Sequence, residues 1–149
     1  MTARDGVSMR ASVAAGAFLV AALAWAACAT KKSGGNVTML AGVDWHLVVV
    51  RGQPAVPADV AKRPWLHFDD SSRVFGSGGC NRTTGRYTLS GTSIRIGPMA
   101  ATKMACLDSA LTRQEDQFLL TLDAVDRAEI TGDTLVLSRG SERLVRMAR

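Results

Sequence analysis

Apolar and polar side chains alternate along most of the chain beyond Gly42, and that alternation locates its strands. Trp45-His46-Leu47-Val48-Val49-Val50 sets Trp45, Leu47 and Val49 on one face. The following "GQPAVPADVAKRP" reads as a loop from its three prolines and its glycine. Trp65-Leu66-His67-Phe68 is the next strand, ended by Asp69-Asp70-Ser71-Ser72, and Arg73-Val74-Phe75 begins a third. Arg86-Tyr87-Thr88-Leu89 and Ser93-Ile94-Arg95-Ile96 flank Ser90-Gly91-Thr92, a hairpin turn. Leu135-Val136-Leu137 and Leu144-Val145-Arg146-Met147 likewise flank Arg139-Gly140-Ser141, and a further pair surrounds Gly132-Asp133.

One segment breaks the two-residue period. Between Ser109 and Val125, the residues Leu111, Phe118, Leu122 and Val125 fall on one helical stripe. Asp108 is a candidate N-cap, and Thr112 with Glu115 offers a capping box as the alternative. The pattern predicts a mostly antiparallel β domain that buries one amphipathic helix.

The N-terminus follows neither period. Ala11–Ala27 is an uncharged run directly behind Arg10 with small residues at its end, the layout of an export signal. A spanning helix wants about 20 residues, more than this run supplies. Ala26-Ala27-Cys28 suits a lipoprotein signal, in which the Cys28 thiol is acylated. Trp25 stands where such signals usually carry Leu, and Ala24-Trp25-Ala26 also suits ordinary signal peptidase, so both cleavages stay open. The expected organisation is a signal peptide over 1–27, a polar tether over 28–38 and one folded domain over 39–149.

Composition narrows the class. The chain has 149 residues, 47% hydrophobic and 21% charged, which is globular rather than disordered. Its cysteines are Cys28, Cys80 and Cys106. An odd count in an exported protein leaves one thiol over, and lipidation of Cys28 would remove it, freeing the other two to pair in an oxidising compartment. Net charge is +5. Loss of residues 1–27 removes two of the 18 basic and one of the 13 acidic side chains, leaving 16 against 12, or +4. The arginines are scattered along the chain, without the basic stripe and interleaved aromatics of a nucleic-acid protein. Weak attraction to anionic surfaces is what the charge supports.

The stretch Gly76–Tyr87, "GSGGCNRTTGRY", invites a chemical reading and resists each one. Asn81 stands where a dinucleotide fingerprint needs its third glycine, and Gly85 is followed by Arg86-Tyr87 rather than the Lys-Ser/Thr of a Walker loop. Phe75 stands where a nucleophile elbow around Ser77 needs glycine. His46, His67, Cys80 and Cys106 lack the short ligand spacings of readable zinc sites. A catalytic Cys80 would need a base or cation to hold its thiolate; Arg82, Arg86 and Lys103 are candidate neighbours, without a histidine partner. Asp69-Asp70 sits at a strand-to-turn junction, where Asp is ordinary.

Several pieces together resemble a known family. Trp45-x-Leu47, Leu66-x-Phe68, Gly76-x-Gly78-Gly79-Cys80-Asn81 with Gly85-x-Tyr87, Ile94 through Cys106 with its Thr102-Lys103-Met104-Ala105-Cys106 end, and Glu115-x-x-Phe118-Leu119-x-x-Leu122 are similar to the META domain, also called the heat-shock HslJ family. The match runs from about Gly42 to Met147. The resemblance implies a compact α+β domain with a curved, barrel-like, mostly antiparallel β-sheet packed on one α-helix, often carried by envelope lipoproteins. It implies no enzyme and no cofactor, and an association with stress response and envelope upkeep. Gly78 and Gly79 would let the chain turn where other residues resist, Asn81 would cap that turn, and Cys80 would be delivered toward Cys106. A disulfide there would contribute about 3 kcal/mol by chain entropy. Gly85 and Thr102 complete the structural motif.

The expected protein is therefore a non-enzymatic, membrane-anchored envelope lipoprotein that supports stress tolerance by binding a protein or apolar ligand. A soluble secreted or periplasmic form is the alternative location. The alternative function is a thiol-based redox or hydrolytic enzyme using Cys80 or Cys106.

Overall fold

The computed structural model describes residues 37–57, 59 and 62–149. The expected export signal, Cys28 and nearly all of the tether lie outside them. The described residues form one compact unit. Among the described residues it carries β1 (Asp44–Val50), β2 (Gln53–Pro54), β3 (Trp65–Phe68), β4 (Arg73–Ser77), β5 (Arg82–Ser90), β6 (Ser93–Ile96), β7 (Ala100–Ala101), α1 (Ser109–Ala124), β8 (Arg127–Thr131), β9 (Thr134–Arg139) and β10 (Glu142–Ala148).

The sheet closes on itself. Strands follow one another in the order β1-β3-β4-β5-β6-β8-β9-β10, all antiparallel, and β10 pairs back onto β1 through His46–Ala148 and Val50–Val145. Closure removes the open edges that would otherwise offer unpaired backbone to other chains. The short β2 and β7 pair outside this ring, on β1 and β5 respectively. The seam between β6 and β8 is thin, a single Ser93–Arg127 pair.

Alternation explains the interior. Trp45, Leu47, Leu66, Phe68, Val74, Tyr87, Ile94, Ile96, Leu135, Leu137, Val145 and Met147 point inward and are buried with Phe118 and Leu122 of α1. An eight-stranded barrel is just wide enough for side chains to fill it. The interior is thus a packed core, and each large side chain in it gains roughly 1.5–3 kcal/mol from burial. The Trp45 indole N–H, which would otherwise be stranded there, donates to the Leu40 carbonyl at 3.0 Å.

Two bulges depart from strict alternation. The register with β10 shifts between Leu47 and Val49, so Val50 rather than Val49 enters the core. A second shift between Arg143 and Val145 buries the consecutive Leu144 and Val145.

The helix begins as its sequence suggests and buries the expected Phe118, Leu122 and Val125, while Leu111 is only half-buried and polar side chains share the buried face. Asp108 is the N-cap, its carboxylate accepting the Ala110 N–H at 2.7 Å. The buried residues are Gln114, Glu115, Phe118, Thr121 and Leu122, three of them polar. Each polar group has a partner that burial requires. The Gln114 amide both accepts from the Val56 N–H and donates to the Val56 carbonyl, each at 2.7 Å. Thr121 donates to the Gln117 carbonyl at 2.6 Å and accepts from Arg51 at 2.9 Å.

Candidate functional site

The Gly78–Asn81 turn, the segment from Thr102 to Cys106 and one side chain of α1 converge at the barrel rim. Cys80 and Cys106 are joined in a disulfide, with Cα atoms 5.9 Å apart. Glu115 is 5% exposed. One of its carboxylate oxygens accepts the backbone N–H groups of Cys80 at 3.0 Å and Asn81 at 2.7 Å, and the other accepts the Asn81 side-chain amide at 2.6 Å. Hydrogen bonds to an ionised acceptor are the strong ones, and three of them hold this carboxylate.

Asn81 carries the network onward. Its side-chain oxygen accepts from the Thr102 hydroxyl at 2.9 Å and from the Met104 N–H at 2.7 Å. The Thr102 hydroxyl also accepts the Arg82 N–H at 3.2 Å. The turn itself is closed by the Gly78 N–H donating to the Asn81 carbonyl at 2.9 Å and by the Gly79 N–H donating to the Ser77 hydroxyl at 3.1 Å, so the expected cap by the Asn81 side chain gives way to longer-range bonds. Its side chain ties three distant segments together.

The glycines divide the labour differently from the sequence expectation. Of the pair, Gly79 takes the left-handed backbone, with φ +123°, while Gly78 has an ordinary φ and is required by contact. A Cβ on Gly78 would lie 2.5 Å from Glu115 Cγ and 2.6 Å from its carboxylate. Gly85 faces Met99, whose sulfur lies 2.6 Å from the place a Cβ would occupy. The turn at the head of the motif thus exists to admit a helix carboxylate. That role of Glu115 is missed by sequence reasoning, which sees it as a capping-box residue and a family position; its place amid an apolar stripe was the available signal.

The Cys80 and Cys106 sulfurs are bonded to each other, and both Glu115 oxygens are engaged by the scaffold. The histidines are partly buried on the outer side of their strands. His67 Nδ1 lies 2.6 Å from the Asp44 carboxylate and its ring stacks on Phe75 at 4.9 Å. Asp69 organises the turn between β3 and β4, accepting from the Ser71 hydroxyl at 2.7 Å and the Arg73 N–H at 2.9 Å, which hold its pKa at about 2. Burial raises the pKa of Tyr87, aided by Asp69 and Asp70, and its hydroxyl donates to the Asp69 carbonyl at 2.8 Å.

With the interior filled, open space lies on the outside. A groove of about 520 Å³ runs between the β6–β7 connection and α1, lined by Pro98, Met99, Asp116, Leu119, Leu120 and Asp123. Leu120 is 73% exposed there.

A closed antiparallel barrel with one packed helix and a stapled rim defines a small α+β barrel domain. The META domain family model matches residues 38–149, and the chain belongs to that family. Three solved structures share the fold. An NMR structure of a protein is 25% identical, covering 70% of this chain and 87% of its own, with a TM-score of 0.56. An NMR structure of a protein from Burkholderia xenovorans is 22% identical, covering 74% and 83%, with a TM-score of 0.61. The crystal structure of a DUF4847 family protein from Bacteroides vulgatus is 16% identical, covering 75% and 95%, with a TM-score of 0.54. No curated protein matches the chain.

Proposed function

We propose that the protein is a non-enzymatic domain of the bacterial cell envelope, exported and held at a membrane by acylated Cys28, where it supports stress tolerance by binding a protein segment. The observation that carries this reading is the groove beside α1. Leu120 stands exposed on the helix one turn from Asp116 and three residues from Asp123, beside Met99 and Pro98. An apolar floor between two carboxylates suits an apolar segment bearing Lys or Arg, by charge complementarity. The Cys80–Cys106 disulfide favours an oxidising compartment, since reducing cytosol opposes such bonds.

Two measurements test it. Intact mass of the protein purified from native membranes should show an acyl-sized increment on Cys28, with Cys80 and Cys106 alkylated only after reduction; an unlipidated mass would remove the anchor. In a strain lacking the gene, the parent should restore growth under envelope stress and Leu120→Asp should not. Equal restoration by both would remove the groove from the function.

A further inference from the structure

The barrel carries its excess charge on one side. Between Ser71 and Leu107 the chain holds Arg73, Arg82, Arg86, Arg95 and Lys103 and no acidic residue. Taking these five from the 18 basic side chains leaves 13, equal to the 13 acidic ones, so this span carries the whole net charge of +5. In sequence the arginines look scattered. Strand pairing gathers them, because Arg73 faces outward from β4, Arg82 and Arg86 from β5, and Arg95 from β6, all exposed.

The register makes the gathering close. Arg73 is directly opposite Arg86, and Thr88 opposite Arg95, which sets Arg95 diagonal to Arg86. Like charges directly across a strand pair are unfavourable in the absence of an anion. Arg73 is paired with Asp69 at 2.9 Å, whereas Arg82, Arg86 and Arg95 have no ion pair among the described residues. Phe75 sits opposite Thr84, diagonal to both Arg82 and Arg86, and is 37% exposed. Trp65 meets its ring edge-on at 6.4 Å. A sheet face with guanidinium groups around an exposed phenylalanine and a half-buried tryptophan has the chemistry of a headgroup-layer surface: cations for lipid phosphates, and aromatic rings for the interface.

We propose that the outer face of β4–β6 docks onto an anionic lipid bilayer. The choice of a bilayer over another polyanion rests on the reading of Cys28 as a membrane anchor. The stretch from Cys28 to Asn36 reaches only ~30 Å when fully extended, short enough to keep the domain beside its membrane. Docking then fixes orientation, with β4–β6 toward lipid.

The test uses the span Ser33–Arg149, which contains the whole closed barrel and the helix but not Cys28, so its outcome is independent of lipidation. The protein should cosediment with vesicles containing phosphatidylglycerol at ~0.1 M salt and be released at ~1 M, as the screening length falls from ~10 Å to ~3 Å. It should ignore pure phosphatidylcholine vesicles. Arg82→Gln, Arg86→Gln and Arg95→Gln together should lower partitioning on the order of 100-fold. Arg139→Gln, Arg143→Gln and Arg146→Gln together, an equal loss of charge from exposed positions on β9 and β10, should change it only a few-fold. Both triple variants should keep the parent's far-UV circular dichroism, since none of the six side chains has a partner among the described residues. Absence of binding to phosphatidylglycerol, equal binding to both lipids, or equal loss in the two triple variants would overturn the proposal. Arginine-dependent binding to soluble polyglutamate without binding to vesicles would also overturn it, in favour of an acidic protein partner.

Discussion

The barrel interior and the Glu115–Asn81 pair at its rim are both buried, yet they are held by opposite means. Inside the barrel, Trp45, Phe68, Phe118 and their neighbours gain stability from area alone, and each contact is one among many. At the rim, Glu115, Asn81 and Thr102 form a short chain of directional bonds beside one disulfide. The interior can lose a methyl group and relax. The rim has no such tolerance, because removing one acceptor strands several buried donors at once.

The largest expected effect exploits that difference. Glu115→Ala strands three donors, the N–H groups of Cys80 and Asn81 and the Asn81 amide, at a cost on the order of 5 kcal/mol. Phe118→Ala in the core should cost about 4 kcal/mol. Thermal melts compare them directly, at roughly 4 °C per kcal/mol for a domain of about 110 residues. A Glu115→Ala melt close to the parent's would mean that the rim is solvated and the contrast false.

Breaking the staple comes next. Cys80→Ser with Cys106→Ser opens a loop with a sequence separation of 26, a loss of about 3–4 kcal/mol on the chain-entropy account. Combined with Glu115→Ala, the losses should fall short of additivity, since both changes release the same turn. Full additivity in urea titrations would show the disulfide and the carboxylate acting independently.

The smallest effect lies away from both regions. The folded pKa of Asp69, about 2, is below its unfolded value near ~4, so its contribution is present above pH ~4 and lost as pH falls toward 2. Asp69→Asn should therefore narrow its stability gap from the parent as the pH drops through that window. A gap constant from pH 7 to pH 2 would exclude the turn bonds of Asp69 as a source of acid sensitivity.

The strands from Trp45 to Met147 were legible because a two-residue period reports which face meets a core, whatever that core contains. The bulges were not, since a one-residue shift depends on the partner strand, as the exchange of Val49 for Val50 shows. The helix was legible as a helix, but its polar buried face was not. Gln114, Glu115 and Thr121 look like solvent positions until Val56, Asn81 and Arg51 are brought beside them.

By itself the sequence determined a mostly antiparallel domain with one helix, the Asp108 cap and the apolar side chains of the core, because local periodicity and capping need only near neighbours. Tertiary structure alone decided that the sheet closes, that the turn at Gly78 receives a helix carboxylate, and that four separated arginines share one face. Those outcomes depend on strand register and on contacts between residues far apart in the chain, which no local pattern encodes.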